Sequence, residues 1–600
     1  MNNYKLYIQD LSGAWHLANM GDDKPAMNYQ VNNIAELKDR QVDYSQSLKL
    51  PTTPNNCKIF GYSNEFDVES SIPYRKLNCR LFAGDSLIAG VGSVLTFDKV
   101  STYFDVQILS GNVDFFELLQ NAKVAELYLG YYTLGSNDFG YGTDDFIIPK
   151  VNLVEGQKTW TDSTIDRAVP FAWLKSAIEK ICTQNGYILQ TNLLESDWNT
   201  KALNVCSLKP SGGSFIPFHA LGYASYYIAP NTPNALINFT IQTNGSGCLT
   251  LNGANFLQYI APIDCTVKIK VHAELWAGYY MLNINGSPYW YDHITSNPKE
   301  REEIVTLSQG DIVTFHMASY IYNGVQAGES YLNITDMQSE ENVPKGGILY
   351  IAPNIGFDTQ FDLFKAFVQL YGMSVLVDNA TKTVYCYTMQ KIYDNKSLAR
   401  DWSGKVTTNT PETTFSVNGY AQSNTIKFED NTTDAITDKL TFTVDDAKLE
   451  KEKELFAIKF EAGKNYSQKY IQAPLTVAYI PLYTKEIDDE QNATYTFKGS
   501  KPHICHVDTA GMIARAEHVT MQSFASHYEK LINNMLVNAK IIEDEFLLTE
   551  QDIEDYKAVK DGVPGAFIPA YVEKYGAYFY INKIKNFVSG KPTKCELVRL

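Results

Sequence analysis

Two widely separated stretches of this chain carry the same local pattern, and that repetition limits the folds open to it. In the first, Val169, Trp173, Leu174, Ala177, Ile178 and Ile181 recur at helical spacing. Gly186 is placed to end that helix, and Tyr187-Ile188-Leu189 then reads as a strand. Pro170 falls where a first helical turn tolerates proline. In the second, Phe361, Phe364, Phe367, Val368 and Tyr371 line a helical face, Gly372 ends it, and Ser374 to Val377 is a strand. An Asp-Asn turn then leads into the strand Val384 to Met389. A helix–glycine–strand unit written twice means a duplication or one domain split by an insertion, and two copies alone also allow chance.

Between the units, residues 208–345 change character. The segment opens at Pro210-Ser211-Gly212-Gly213-Ser214 and closes near Pro344-Lys345-Gly346-Gly347. Short strands alternate with turns such as Asn244-Gly245 and Asn285-Gly286, at the spacing of a β-sandwich. Tyr259 to Thr266 leads into the strand Val267 to Ala273, and Leu307-Ser308-Gln309-Gly310-Asp311-Ile312-Val313 forms a turn between two strands. These strings resemble jelly-roll sandwiches of the tumour-necrosis-factor and complement type, where a Leu-x-x-Gly-Asp-x-Val step is common.

Elsewhere period-two alternation dominates. Leu6-Tyr7-Ile8 alternates, Leu48 and Leu50 share a strand face, and the runs Leu77–Phe82 and Leu87–Leu95 flank the turn Ala83-Gly84-Asp85-Ser86 as a hairpin. Residues 400–500 return to strands, a helix is predicted from near Ala510 to about Ala539, and strands close the chain. Forty Tyr and thirty Phe suit such sheets, and also suit protein and glycan contacts. The expected class is mostly β with α+β modules, and 600 residues call for roughly three to five domains.

Composition excludes some functions. With 44% hydrophobic and 20% charged residues the chain reads as folded and soluble. A net charge of −17 sets it against nucleic acid, whose phosphates demand a cationic surface. Nine cysteines, never spaced as Cys-x-x-Cys, form neither a disulfide framework nor a zinc pattern, so assembly in a reducing cytoplasm is expected. Met1 to Leu6 lack the regions of a signal peptide, and no segment has the ~20 apolar residues that would span a bilayer.

The search for chemistry returns little. Gly84-Asp85-Ser86 matches the start of a lipase-type motif but sits in a hairpin turn, and Ser589-Gly590-Lys591-Pro592-Thr593 lacks the glycine spacing and following helix of a phosphate loop. His503-Ile504-Cys505-His506 is the one group of soft-metal ligand types, with no second group to complete a site. A glycosidase dyad is assembled in space, so no Asp or Glu pair stands out from sequence. No catalytic residue, metal or cofactor is nominated. The better candidates are aromatic. Trp276, Tyr279 and Tyr280 precede a predicted loop from Gly286 to His293 that holds Tyr289, Trp290 and Tyr291. Trp276, Tyr280, Tyr289, Trp290 and Tyr291 are therefore candidate contacts for a glycan or a protein partner, against the competing reading of sandwich core.

Three further strings carry a resemblance. Ile34 to Gln41, then Tyr44-Ser45-Gln46-Ser47-Leu48-Lys49-Leu50-Pro51-Thr52-Thr53-Pro54-Asn55-Asn56, is similar to the N-terminal signature of a tail protein family of phages and prophages of Bacteroides-like bacteria. Ala399-Arg400-Asp401-Trp402-Ser403-Gly404-Lys405-Val406 resembles that family's Asp-Trp-Ser-x-Lys string, and Tyr578 to Ile584 through Cys595-Glu596-Leu597-Val598 resembles its C-terminus. The resemblance implies a baseplate or tail-tip hub in the virion, made in the host cytoplasm. It also implies a ring of tube-like β-barrel domains, a trimer favoured over a hexamer, and contacts to the tail tube and other tail-tip proteins.

The chain then divides into 1–150 as a tube-like β-domain, 151–207 and 346–405 as the two modules, and 208–345 as the inserted sandwich. Residues 406–509 make a second β-domain and 510–600 a C-terminal helix with closing strands. Arg40, Tyr44 and Trp402 are candidates for a subunit or domain interface, with domain core as the competing reading for Trp402. The alternatives are a receptor-binding tail protein that recognises host surface glycans through the insertion, and a tail-borne hydrolase, which no motif supports.

Overall fold

The computed structural model describes residues 4–600 apart from 22–23, 30–42, 46–47, 91–92, 111–112, 134–139, 155–167, 209–218, 228–234, 237–239, 245–248, 253–255, 262–264, 275–276, 296–297, 309, 320–325, 337–347, 408–409, 416–418, 430–438, 462–463, 470–473, 488–492, 509, 511, 517–518, 528 and 538. The chain is mostly β and multidomain, with several sheets.

The largest sheet, of 15 strands, takes strands from both ends of the chain. Its central path runs Tyr4–Gln9, Leu77–Ala83, Val94–Val100, Tyr103–Ser110, Asp43–Ser45, Met27–Tyr29, Ala577–Phe587, Thr593–Arg599, Ile541–Phe546. The join between the two ends is antiparallel, with Met27 opposite Phe587 and Tyr29 opposite Ile584. Alternation builds these strands: in Leu77–Ala83, Leu77, Cys79, Leu81 and Ala83 are buried while Asn78 and Arg80 are exposed. Tyr29, wholly buried, packs against Phe587 and Tyr556 with ring centroids 6.3 and 6.4 Å apart. Fully burying such a ring contributes on the order of 2–3 kcal/mol, so this packing strengthens the join between the N-terminal and C-terminal strands.

None of the sheets closes into a barrel among the described residues. The path ends in two short strands, Trp15–Leu17 and Glu412–Thr414, that do not pair with each other. The barrel expected of the hub domains is thus an open sheet within this one chain.

The two helix–glycine–strand units lie side by side. Ile188–Thr191 pairs in parallel with Thr383–Thr388, and Met373–Asp378 pairs antiparallel with that same strand. Helices Leu174–Gln184 and Gln360–Leu370 accompany them, and Asn185 Nδ2 donates to Gln360 Oε1 at 2.7 Å. Both terminating glycines are left-handed, Gly186 at φ +77° and Gly372 at φ +54°, a conformation that disfavours any Cβ.

Two local expectations are corrected. The helix expected over the first unit's whole apolar face starts late, because Phe171–Trp173 is a strand held between Phe146–Ile147 and Lys201–Asn204. Pro170 therefore precedes a strand and does not open a helix. The single helix expected from Ala510 to Ala539 is a strand, Ile513–Arg515, followed by the short helices Met521–Phe524 and Glu529–Val537. Ile513–Arg515 pairs with Ile504–Asp508, so sheet pairing overrides local helix propensity there.

The insertion is a separate structure. One antiparallel sheet runs Thr240–Asn244, His219–Tyr227, Gln326–Asp336, Cys265–Ala273, Lys299–Leu307. The other runs Leu249–Asn252, Phe256–Ile260, Ile312–Ser319, Ala277–Ile284, Ser287–Thr295, with Ala235–Leu236 also on Ile312–Ser319. Inward residues of both sheets, among them Val267, Ile269 and Leu332 from one and Tyr259, Leu282 and Phe315 from the other, form one core distinct from that of the body. The insertion points are close: Cys206 N donates to Asn354 O and Ser207 Oγ to Asn354 Oδ1, each at 2.5 Å.

Candidate binding face of the inserted sandwich

The segment expected as an aromatic loop is a strand. Asn285 and Gly286, at φ +52° and +78°, make a tight hairpin turn, and Ser287–Thr295 leaves it paired with Ala277–Ile284. Period-two geometry then sorts the aromatic side chains. Trp290 and Tyr280 face the core at 2% exposure each, whereas Tyr289 and Tyr291 are 40% and 50% exposed. Trp290 and Tyr280 are therefore packing residues and not ligand contacts, because a ring buried in the core offers no face to a sugar. Trp276 lies outside the described residues.

Trp290 closes one edge of the sandwich. Its Nε1 donates to Glu303 Oε2 at 3.2 Å, and the Arg301 guanidinium lies 5.0 Å from its ring centroid. Tyr289 leans toward the same edge, where burial and then a hydrogen bond to Glu303 push its phenol up. Lys299 and Asp292 pair at 3.7 Å beside it. This cluster joins the edge strands of the two sheets, so its role is to hold them together.

The outward face of the second sheet is different. Register places Met281 opposite Tyr291 and His316, and Tyr279 opposite His293. Phe256 and His316 meet edge to face at 4.7 Å, His316 and Tyr279 at 6.1 Å, Tyr279 and Tyr291 at 5.6 Å, and Tyr291 and His293 at 5.2 Å. The rings form one continuous track across four strands. Tyr291 Oη and His293 Nε2 lie 3.4 Å apart, whereas His316 is only 8% exposed, and that burial lowers its pKa. Beside the track, Asn283 Nδ2 donates to Thr314 Oγ1 at 3.3 Å. Outward side chains described on this face include no Asp, Glu, Lys or Arg. The other sheet's outward face carries Lys268–Glu302 at 3.5 Å and His272–Glu300 at 2.9 Å.

Sequence reading picked out Tyr291 and passed over Phe256 and His316, which lie on other strands. The signal was present as parity, since a buried Leu257 and Phe315 turn their neighbours outward.

The candidates for an interface separate too. Arg40 lies outside the described residues. The Tyr44 backbone sits inside the large sheet, in a strand paired with Met27–Tyr29 on one side and Tyr103–Ser110 on the other. Trp402 is 1% exposed, its ring 5.4 Å from Phe546 and its backbone N–H on Tyr571 O at 2.9 Å. Trp402 is thus buried against residues of the 510–600 segment, a contact between two of the expected domains, and its ring is not exposed to a neighbouring subunit. His503 and Cys505 are buried on one strand face while His506 lies on the other, near Lys201 Nζ at 3.5 Å. Among the described residues no three His, Cys, Asp or Glu side chains group as metal ligands, and no helix is long and apolar enough to cross a membrane.

No family model matches the chain, and no curated protein matches it. Among solved structures, murine APRIL aligns at 9% identity and a TM-score of 0.16, over 20% of this chain and 99% of its own. Pika GITRL aligns at 12% and 0.15, over 21% and 98%. The globular domain of a zebrafish complement 1qA protein aligns at 10% and 0.16, over 20% and 98%.

Proposed function

We propose that this chain is a structural subunit of a phage tail baseplate or tail tip, a hub that links the tail tube to the tip and carries its inserted sandwich, of jelly-roll type, outward. The observation that carries this reading is where the family-like strings lie. Leu48–Pro51, Arg400–Asp401, Ala577–Phe587 and Thr593–Arg599 are remote in sequence yet all belong to the 15-stranded sheet. Strings scattered along a chain that specify one sheet describe a body whose shape is the product, as an architectural role requires. The body's open sheet supports assembly as well: a tube-like wall formed by neighbours side by side needs no closed barrel in any one subunit. The residues of the body act in structure and not in catalysis.

The expected assembly is a homo-oligomer, with a trimer favoured over a hexamer. Native mass spectrometry of the full chain, with electron microscopy of negatively stained particles, tests it. A closed ring of three or six copies is the expected result. A monomer at every concentration, or absence of the chain from purified tails, overturns the proposal.

A further inference from the structure

The chemistry of the ring track on the sandwich selects a class of ligand. Phe256, His316, Tyr279, Tyr291 and His293 follow one another across four neighbouring strands. With strands about 4.8 Å apart, the four strands span about 14 Å, the length of a few linked sugar rings. Tyr291 and His293 are exposed and Phe256 and Tyr279 half-buried along it, while the His316 ring, 8% exposed, is covered and only supports its neighbours. Aromatic faces attract the apolar C–H faces of pyranoses, and neutral imidazole, amide and hydroxyl groups exchange hydrogen bonds with sugar hydroxyls. Asn283 and Thr314 supply such groups beside the rings.

Charge narrows the choice. In a chain of net charge −17, with 20% charged residues, the outward side chains described on this face include no Asp, Glu, Lys or Arg. The opposite sheet turns ion pairs to solvent. An anionic glycan or a nucleic acid gains nothing from a face without cations. A protein surface selected by ion pairs finds none to meet. An uncharged, hydroxyl-rich, linear ligand is complementary to every group present.

We propose that the outward face of the six-stranded sheet binds a neutral linear polysaccharide laid across its strands, with Tyr291 and Tyr279 as stacking platforms and His293 as a hydrogen-bonding group. The site differs from the Trp276–Trp290 cluster that sequence nominated. It does not depend on the hub reading, because a sandwich can bind sugar whether or not the body forms a ring.

Affinity electrophoresis of the full chain, in native gels containing dextran, laminarin, mannan or galactomannan, tests the proposal, with heparin and alginate as anionic controls. At least one neutral polymer is expected to slow the protein. Tyr291→Ala should weaken that retardation about tenfold or more, as expected for loss of a stacked ring at about 1.4 kcal/mol per tenfold. Tyr291→Phe should retain most of it, and the melting temperature of both variants should match the parent, since the ring is half exposed. His293→Ala gives an independent second variant. No retardation by any neutral polymer overturns the proposal, as does retardation by the anionic polymers alone or retardation unchanged in both Ala variants. A change in oligomer size in Tyr291→Ala without retardation of the parent assigns the face to self-association and also overturns it.

Discussion

At the scale of single residues, burial separates two roles that look alike in sequence. Trp290 and Tyr291 are adjacent aromatics, one in the core and one half exposed. Trp290→Ala should destabilise the sandwich by about 3–5 kcal/mol through the cavity it leaves, whereas Tyr291→Ala should stay within about 0.5 kcal/mol. Urea unfolding followed by tryptophan and tyrosine fluorescence would show the contrast, and equal losses would contradict the assignment of faces. Gly565 makes a second residue-scale case. A Cβ there would lie 1.9 Å from Asp555 O and 2.4 Å from Arg400 Nη2, the guanidinium that donates to Asp555 O at 2.6 Å. Gly565→Ala is expected to cost about 1–3 kcal/mol by overpacking, read as a lower melting temperature of the body, and an unshifted melting curve would refute it.

At the scale of elements, two devices join remote segments. The helix Glu550–Lys557 is opened by a capping box in which Thr549 Oγ1 accepts from Asp552 N and the Asp552 carboxylate accepts from Thr549 N. Lys405 Nζ, from the Trp402 segment, pairs with the same carboxylate at 2.9 Å. Burial works to raise the Asp552 pKa, but the Thr549 backbone and Lys405 outweigh it and hold the group below the ordinary carboxylate range. Thr549→Ala should therefore lower stability by about 0.5–2 kcal/mol at neutral pH.

The strand Ile504–Asp508 begins beside His503, which burial holds at about 4, although its Nδ1 lies 2.9 Å from Lys501 O and Glu461 Oε2 is 3.4 Å from Nε2. A folded value below the unfolded value of about 6.5 means that this contribution is fully present above about pH 6.5 and is lost as pH falls toward the folded value. Stability should drop by up to about 2 kcal/mol between about pH 7 and about pH 5 on this account. His503→Gln should flatten that slope in urea titrations; a slope unchanged in the variant would remove His503 as its source.

At the scale of the whole molecule, the two separate cores make the insertion removable. Its ends are clamped to one another through Ser207 and Asn354, so a short Gly-Ser link in place of residues 209–345 spans no large gap. Calorimetry of the shortened chain is expected to lose the sandwich transition and keep the body transition within a few degrees. Collapse of the body transition would show that the insertion carries part of the body's stability. Under the proposed assembly, the shortened chain is expected to oligomerise as the full chain does, since the body's sheet lies outside the insertion.

Much of this was legible locally. Gly186 and Gly372 announced two helix ends, Asn285-Gly286 announced a turn, and the alternation of Leu77 to Ala83 announced a strand, because each depends on a few neighbouring residues and their backbone preferences. Thr549-Glu550-Gln551-Asp552 also carried a helix start that the reading of 540–600 as strands missed. What local pattern did not hold was pairing: which strand lies beside which is settled by burial of faces far apart in sequence. Hence the two repeated units were visible but not their shared strand, and Tyr291 was visible as aromatic but not as one ring in a track with Phe256 and His316. By itself the sequence determined many of the strands and turns, two helix ends, the charge and the mostly β class. Only the tertiary structure decided that the chain's two ends share one sheet, that Trp290 and Trp402 are core, and that the described outward side chains of one face of the insertion are rich in aromatics and hold no Asp, Glu, Lys or Arg. Periodicity gives each side chain a side, but only the packed sheets say whether that side meets protein or water.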